Sequence, residues 1–251
     1  MTPKIPSLLL AGVSALLFSG SVARAADPAP AEPAATEVDM ASLLVALGKH
    51  AEGIQSFGEK GAQKSHVRYE ELDSDGKPTT WTETDYERKK GATTVLKSTK
   101  DGKDNMSAAL EEQAKWKVEA EKQKKSGDKK KMVLPFVPSE QPKYVFTLAA
   151  KDPTNASRVR IHFAPKDSPS EKTFVGEAWV DTARGVFLSM AGTFSKNPTF
   201  VDRASMRADF EATSPVGPMP STIDFEGEGS FLWVFKKRIR VHVDVRDYTA
   251  E

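Results

Sequence analysis

Residues 173–195 set the pattern that the rest of the chain repeats. Phe174, Gly176, Ala178 and Val180 alternate with Val175, Glu177, Trp179 and Asp181. After Thr182-Ala183-Arg184-Gly185 the alternation resumes. Val186, Leu188, Met190, Gly192 and Phe194 share one face, with Phe187, Ser189, Ala191 and Thr193 on the other. Period-two alternation about a Gly-containing turn predicts a half-buried antiparallel hairpin. Further strands are expected at 67–72 and 80–88, joined by a turn at 73–78, and at 93–98, 144–149 and 158–163. Four more follow at 206–212, 221–226, 230–235 and 238–248. The last is the clearest, since Ile239, Val241, Val243 and Val245 alternate strictly with Arg240, His242, Asp244 and Arg246. One face of such a strand is buried and the other meets water.

Two segments follow the helical period instead. After Asp39, placed to cap, Leu43, Leu44, Leu47, Ala51 and Ile54 line one face, and Phe57-Gly58 is the expected end. Over 105–125, Met106, Leu110, Ala114 and Val118 form a single apolar stripe among Glu and Lys. Between the helix and the strand at 144–149 lies an apolar, proline-broken connector, residues 132–142.

About ten strands, two helices and no βαβ rhythm place the chain in the α+β class. A long antiparallel sheet must coil, and its apolar concave face needs cover. The expected architecture is therefore a curved antiparallel sheet forming an unclosed β-barrel, a half-barrel covered by amphipathic helices.

The N-terminus reads as an address rather than as structure. Lys4, the apolar run 8–18 and Ala23-Arg24-Ala25 match a cleaved secretory signal peptide over 1–25. A Pro/Ala-rich leader occupies 26–38. A single domain follows over 39–251, with a charged helical insertion at about 104–131. Export places the mature chain in a periplasm, and no second apolar run reaches membrane-spanning length. The chain has no cysteine, so neither a disulfide framework nor a lipid-bearing cysteine is available. The formal charge is +1, and loss of Lys4 and Arg24 with the signal makes it −1. Such a balance argues against nucleic acid as a partner.

Candidate chemistry is sparse. The Asp73-Ser74-Asp75-Gly76 string is not a calcium loop, because the position needing a bidentate Glu is Thr82. His50, His66, His162 and His242 have no metal-ligand spacing, and His162 and His242 are expected on polar strand faces. Ser189 lies within a strand, not at a nucleophile elbow. Asp224 and Glu226 share a strand face, where alternating surface carboxylates are the ordinary reading. No enzyme activity, cofactor or metal is expected. Between Glu111 and Lys131 eight lysines face five acids. Lys122, Lys124, Lys125, Lys129, Lys130 and Lys131 are therefore candidates for docking a partner, set against a plain solvated helix face.

Three segments carry a family resemblance: Tyr144-Val145-Phe146; Arg158-Val159-Arg160-Ile161-His162-Phe163-Ala164-Pro165; and Gly176-Glu177-Ala178-Trp179-Val180-Asp181. With the signal peptide, early amphipathic helix and C-terminal meander, 39–248 resembles the LolA-like outer-membrane lipoprotein-sorting proteins. The resemblance implies an unclosed β-barrel with a helical lid, holding acyl chains of a lipoprotein or lipid in transit toward the outer membrane. Some relatives use the fold as a sensor or scaffold. The lysine-rich helix and the proline-broken connector depart from the carriers.

The leading expectation is thus a monomeric periplasmic carrier of an acylated ligand. Candidate cavity residues are Leu44, Leu47, Ile54, Trp179, Leu188, Met190, Phe225, Phe231 and Trp233. The rival is a cell-envelope interaction or sensor domain without cargo, engaging inner- or outer-membrane proteins.

Overall fold

The computed structural model describes residues 38–125, 133–231 and 235–250. The expected signal peptide, most of the leader, and Lys129, Lys130, Lys131 and Trp233 lie outside these residues.

Helix α1 (Met40–Lys60) begins at the expected cap. The Asp39 carboxylate accepts from the Ala41 and Ser42 N–H groups at 3.1 and 3.2 Å, satisfying donors that the first turn leaves free. Four strands follow: β1 (Ala62–Leu72), β2 (Pro78–Lys89), β3 (Ala92–Lys100) and the short β4 (Lys103–Asp104). The β1–β2 turn is built as its composition requires. Asp73 accepts from the Asp75 and Lys77 N–H groups, both at 2.9 Å, and Gly76 takes φ +79°. Helix α2 (Met106–Lys125) comes next, then the connector and a 3₁₀ turn (Gln141–Lys143). The remaining strands are β5 (Tyr144–Asp152), β6 (Asn155–Pro165), β7 (Phe174–Asp181), β8 (Val186–Phe194) and β9 (Val201–Asp209). A small β10–β11 hairpin (Ala212–Ser214, Gly217–Met219) precedes β12 (Thr222–Phe231) and β13 (Phe235–Thr249).

Eleven strands form one sheet in the order β4-β3-β2-β1-β13-β12-β9-β8-β7-β6-β5, with β10–β11 apart. Every pairing is antiparallel, and the two edges do not meet, so the sheet is an open half-barrel. Strand β12 runs past the expected end at 226 to Phe231, which pairs with Phe235 at the start of β13. Of the expected 230–235 strand, Ser230 and Phe231 thus belong to β12 and Phe235 to β13, with 232–234 outside the described residues.

The alternation sorts the faces. The apolar face gathers Val159, Ile161 and Phe163 from β6 and Ala178 and Val180 from β7. Met206 from β9, Phe225 from β12 and Val241, Val243 and Val245 from β13 continue it. The other face is a field of ion pairs. Arg68 meets Glu70 and Glu83, each at 2.8 Å; Arg240 meets Glu226 at 2.9 Å; His242 meets Asp224 at 2.7 Å. Arg68–Glu70 lies within β1, with Glu70 buried. The half-exposed Arg68–Glu83, Arg240–Glu226 and His242–Asp224 pairs cross between strands, fixing register and keeping that face wet more than they stabilise the fold. Asp224 and Glu226 are thereby bound to separate basic partners. His162 and His242 lie on this face, as their strand positions predict.

The expected face assignment of the central hairpin changes in one respect. A bulge lets Val180 pair with Phe187 while Trp179 pairs with Ser189, so Leu188 is the extra residue. Phe187, placed by simple alternation on the outer face, is turned into the core and is fully buried. A second device in the same hairpin is the Gly176–Gly192 pair. A β-carbon on Gly176 would run into the Ala191 carbonyl oxygen, and one on Gly192 into that of Val175. The strands approach too closely there for any side chain.

Candidate functional site

Helix α1 lies over the apolar face with Leu43, Leu47 and Ala51 buried against it. His50 fixes it in place. Its Nδ1 accepts from the Phe187 N–H at 3.2 Å, so the proton sits on Nε2, 2.8 Å from the Pro218 carbonyl. The ring also stacks on Phe187, with centroids 5.3 Å apart. Burial, assisted by the charge of Arg184, holds His50 below the ordinary histidine pKa, against the pull of the Pro218 bond.

Beside α1 the connector does something its sequence did not announce. Leu134, Phe136 and Val137 are buried, and Phe136 is 0% exposed. Its ring meets those of Phe146, Phe163 and Phe187 at 5.0, 5.5 and 5.0 Å, tilted against the first and edge-on to the other two, the edge-on geometry being one that aromatic quadrupoles favour. The Gln141 amide ties connector to helix by donating to the Leu44 carbonyl at 2.8 Å and the Phe136 carbonyl at 2.7 Å. Gly48 makes room for this clamp. A β-carbon there would stand 2.9 Å from Gln141 Nε2 and 3.1 Å from Pro138. The glycine that weakens α1 as a helix is the one that lets the connector dock.

The expected cavity residues divide accordingly. Leu47, Met190 and Phe225 come together in the core, with Leu44 and Ile54 packed against it. Leu47 and Met190 are 0% exposed, so neither borders water-sized space. Trp179 is a correction. It stands on the charged face, over which the Arg160 guanidinium lies 5.7 Å from the ring centroid, because it is out of phase with Ala178 and Val180. Leu188 is half-buried at the bulge rather than on the apolar face. Phe231 closes β12. Among the docking lysines, Lys122 is exposed on α2, and Lys124 and Lys125 end that helix.

Helix α2 packs on a different side from its apolar stripe. Its Leu110–Val118 stripe is not the packed face, for Leu110 and Val118 are 45% and 54% exposed. The packed side carries Gln113, whose Nε2 donates to the Thr93 carbonyl of β3 at 2.8 Å.

Where α1, the connector and β5 meet, a groove of about 450 Å³ opens to solvent. Leu44, Pro138, Pro142, Tyr144, Val145 and Phe146 give it apolar walls, and Gln141 and Lys166 are its polar groups. Of the expected cavity residues, Leu44 alone lines it. A larger trough of about 680 Å³ crosses the charged face between Arg203, Arg238, Arg240, Glu226 and Glu228. Its arginines are consumed by its own glutamates, Arg203 and Arg238 reaching Glu228 at 2.6 and 3.1 Å. The rim groove is therefore the better candidate site.

Among the described residues no group of three His, Asp or Glu side chains is placed to hold a metal ion. No described helix is long and apolar enough to cross a membrane.

No protein-family model and no curated protein matches the chain. Two solved structures align with most of the chain at low TM-scores. A DUF1329 family protein from Desulfovibrio piger is 8% identical with a TM-score of 0.33, over 83% of this chain and 93% of that one. MucB in complex with MucA is 10% identical with a TM-score of 0.20, over 82% and 98% respectively. Likenesses this distant bring neither a ligand nor a partner to this chain, and what the structure itself shows is the architecture: an open antiparallel sheet with a helix across its apolar face.

Proposed function

We propose that the chain is an exported, non-enzymatic binding module of the cell envelope that holds an apolar segment of a partner polypeptide in the rim groove. The supporting observation is the contrast between a filled interior and an open rim. Leu47, Phe136 and Met190 are wholly enclosed beneath α1, while the groove between α1, the connector and β5 stays open. An acyl carrier needs chain-length apolar space that its cargo can enter. A peptide-binding module needs only a rim groove with apolar walls and a few polar groups. Of the two readings that the resemblance implies, this division supports the interaction module over the carrier.

The test combines two measurements on the mature chain purified from a periplasm without detergent. Native mass spectrometry is expected to give the unliganded mass, with no acyl species in an organic extract. A photo-reactive side chain at Val145 is expected to cross-link to a polypeptide, and one at Val118 on α2 is not. A co-purifying acyl lipid, with Val145 cross-linking to lipid, overturns the proposal and restores the carrier.

A further inference from the structure

The groove is bounded by the backbone of a sheet edge as well as by side chains. Strand β5 is the last in the sheet order, pairing with β6 on one side only. The Lys166 N–H donates to the Lys143 carbonyl at 2.8 Å, and the β5–β6 register pairs Tyr144 with Pro165 and Phe146 with Phe163. In an antiparallel ladder, bonded and non-bonded pairs alternate. Lys143–Lys166 is bonded, so Val145–Ala164 is bonded and Phe146–Phe163 is not. The N–H and C=O of Phe146 therefore face the open edge, inside the groove.

Natural sheets blunt such edges with lysine, proline, bulges or cover. The first half of β5, Tyr144-Val145-Phe146-Thr147-Leu148, contains no charge and no proline. Its bulges come later, between Leu148 and Ala150 and between Lys151 and Asp152. Val145 and Leu148 are 47% and 41% exposed. Lys166 stands at the groove, exposed, with no ion pair among the described residues. The connector's own carboxylate, Glu140, is taken by Lys143 at 2.7 Å.

We infer that the open edge of β5 receives an extended partner strand by β-addition, with apolar side chains set into the groove and a carboxylate of the partner pairing with Lys166. This rests on the proposed polypeptide-binding reading and names its partner class: an extended acidic–apolar segment. Backbone bonds from Phe146 would supply affinity without sequence preference. The Leu44–Phe146 walls and Lys166 would supply the selection.

The test uses the mature chain and fluorescein-labelled seven-residue peptides of alternating Val and Thr, ending in Glu, Gln or Lys. Fluorescence anisotropy reads binding, and hydrogen exchange reads the Phe146 amide. The Glu peptide is expected to bind about tenfold tighter than the Lys peptide, a difference of about 1.4 kcal/mol. Lys166→Glu reverses that order, and N-methylating alternate backbone nitrogens of the peptide abolishes binding. The Phe146 amide gains protection only with the unmethylated peptide. N-methylated peptides that bind equally well overturn strand addition while leaving the groove reading intact, provided that the Val145 cross-link to polypeptide persists. Loss of that cross-link overturns both. Dimerisation through β5 on sedimentation assigns the edge to a second copy and overturns the inference. So does peptide binding that appears only after deletion of residues 26–37, since the leader is then the natural occupant.

Discussion

At one edge of the sheet β3 is closed off piece by piece. The two-residue β4 pairs with Thr99 and Lys100, the Asn105 N–H donates to the Ser98 carbonyl at 3.0 Å, and Gln113 of α2 reaches the Thr93 carbonyl. Lys97, Lys100 and Lys103 add charge along it. At the other edge β5 has an apolar half-strand, an adjoining groove and the Phe146 backbone facing outward. The helix nearest each edge differs in the same sense. Helix α2 serves its edge with a polar side chain and leaves its apolar stripe bare. Helix α1 buries its apolar face and, through Gln141 and the connector, builds a wall beside an edge it does not cover. The contrast between a covered edge and an open apolar one is the observation on which the proposed strand addition at β5 rests.

The largest test of that contrast is Phe136→Ala. Phe136 fills the space beneath α1 on the β5 side, so its truncation leaves a cavity among Phe146, Phe163 and Phe187. The expected loss is about 3–5 kcal/mol of unfolding free energy, read as a lower denaturant midpoint at unchanged slope. A loss below about 1 kcal/mol would mean that the site collapses freely or was never tightly packed. The interior would then have room for cargo, and the carrier reading would regain its footing.

A smaller effect is expected at the protected edge. Gln113→Ala leaves the Thr93 carbonyl without its side-chain donor, at a cost of about 1–3 kcal/mol if water does not replace it. The more informative readout is association. With the β3 edge uncovered, sedimentation should show concentration-dependent self-association that Leu110→Ser, on the exposed stripe of the same helix, does not produce. If Gln113→Ala stays as monomeric as the parent chain, β4 and the lysines protect that edge without α2.

How much of this was legible in the chain varies with the kind of signal. Strands with strict alternation, such as β13, fixed both their existence and their buried face, because a period of two leaves no freedom once one face is apolar. The Asp39 cap and the turn at 73–78 were readable for the same local reason. The β7–β8 hairpin was only partly so. A bulge shifts phase by one residue, which is why Phe187 is in the core and Leu188 is not. Trp179 needed no bulge to be misplaced, since its neighbours Ala178 and Val180 already held the inner phase. The rim groove was the least legible element. Its connector has neither helical nor strand period, and the burial of Phe136 depends on Gly48 and Gln141, residues far apart in the chain. On α2 the apolar stripe was a correct reading of composition. The packed side instead carries Gln113, buried and bonded to an edge carbonyl, and no apolar periodicity reports a polar contact. His50 was a bare letter until the fold placed Phe187 and Pro218 on its two nitrogens.

That histidine gives the smallest and most specific effect, one confined to pH. Burial lowers the His50 pKa in the folded chain, so folding prefers its neutral form. Above an unfolded value of about 6.5 both states carry it neutral and its contribution to stability is intact. As pH falls below that, the unfolded chain takes up a proton that the folded chain resists, and stability declines toward the folded pKa. Protonating Nδ1 also destroys the bond from the Phe187 N–H that anchors α1 to β8. His242 works in the opposite direction. Burial alone would lower its pKa, but the hydrogen bond to Asp224 and the charges of Asp224 and Asp244 outweigh that and raise it. Its contribution is full below about 6.5 and is lost as pH rises through the raised folded value. Melting temperatures between pH 8 and 5 should separate the two. His50→Gln should lower Tm at pH 8 and remove part of the acid-side decline, while His242→Gln should make the parent's decline steeper. If His50→Gln leaves the acid-side slope unchanged, α1 does not depend on the neutral imidazole. The helix beside the open edge would then be held by its buried apolar face, Leu43, Leu47, Ala51 and Phe57, and the Gln141 clamp.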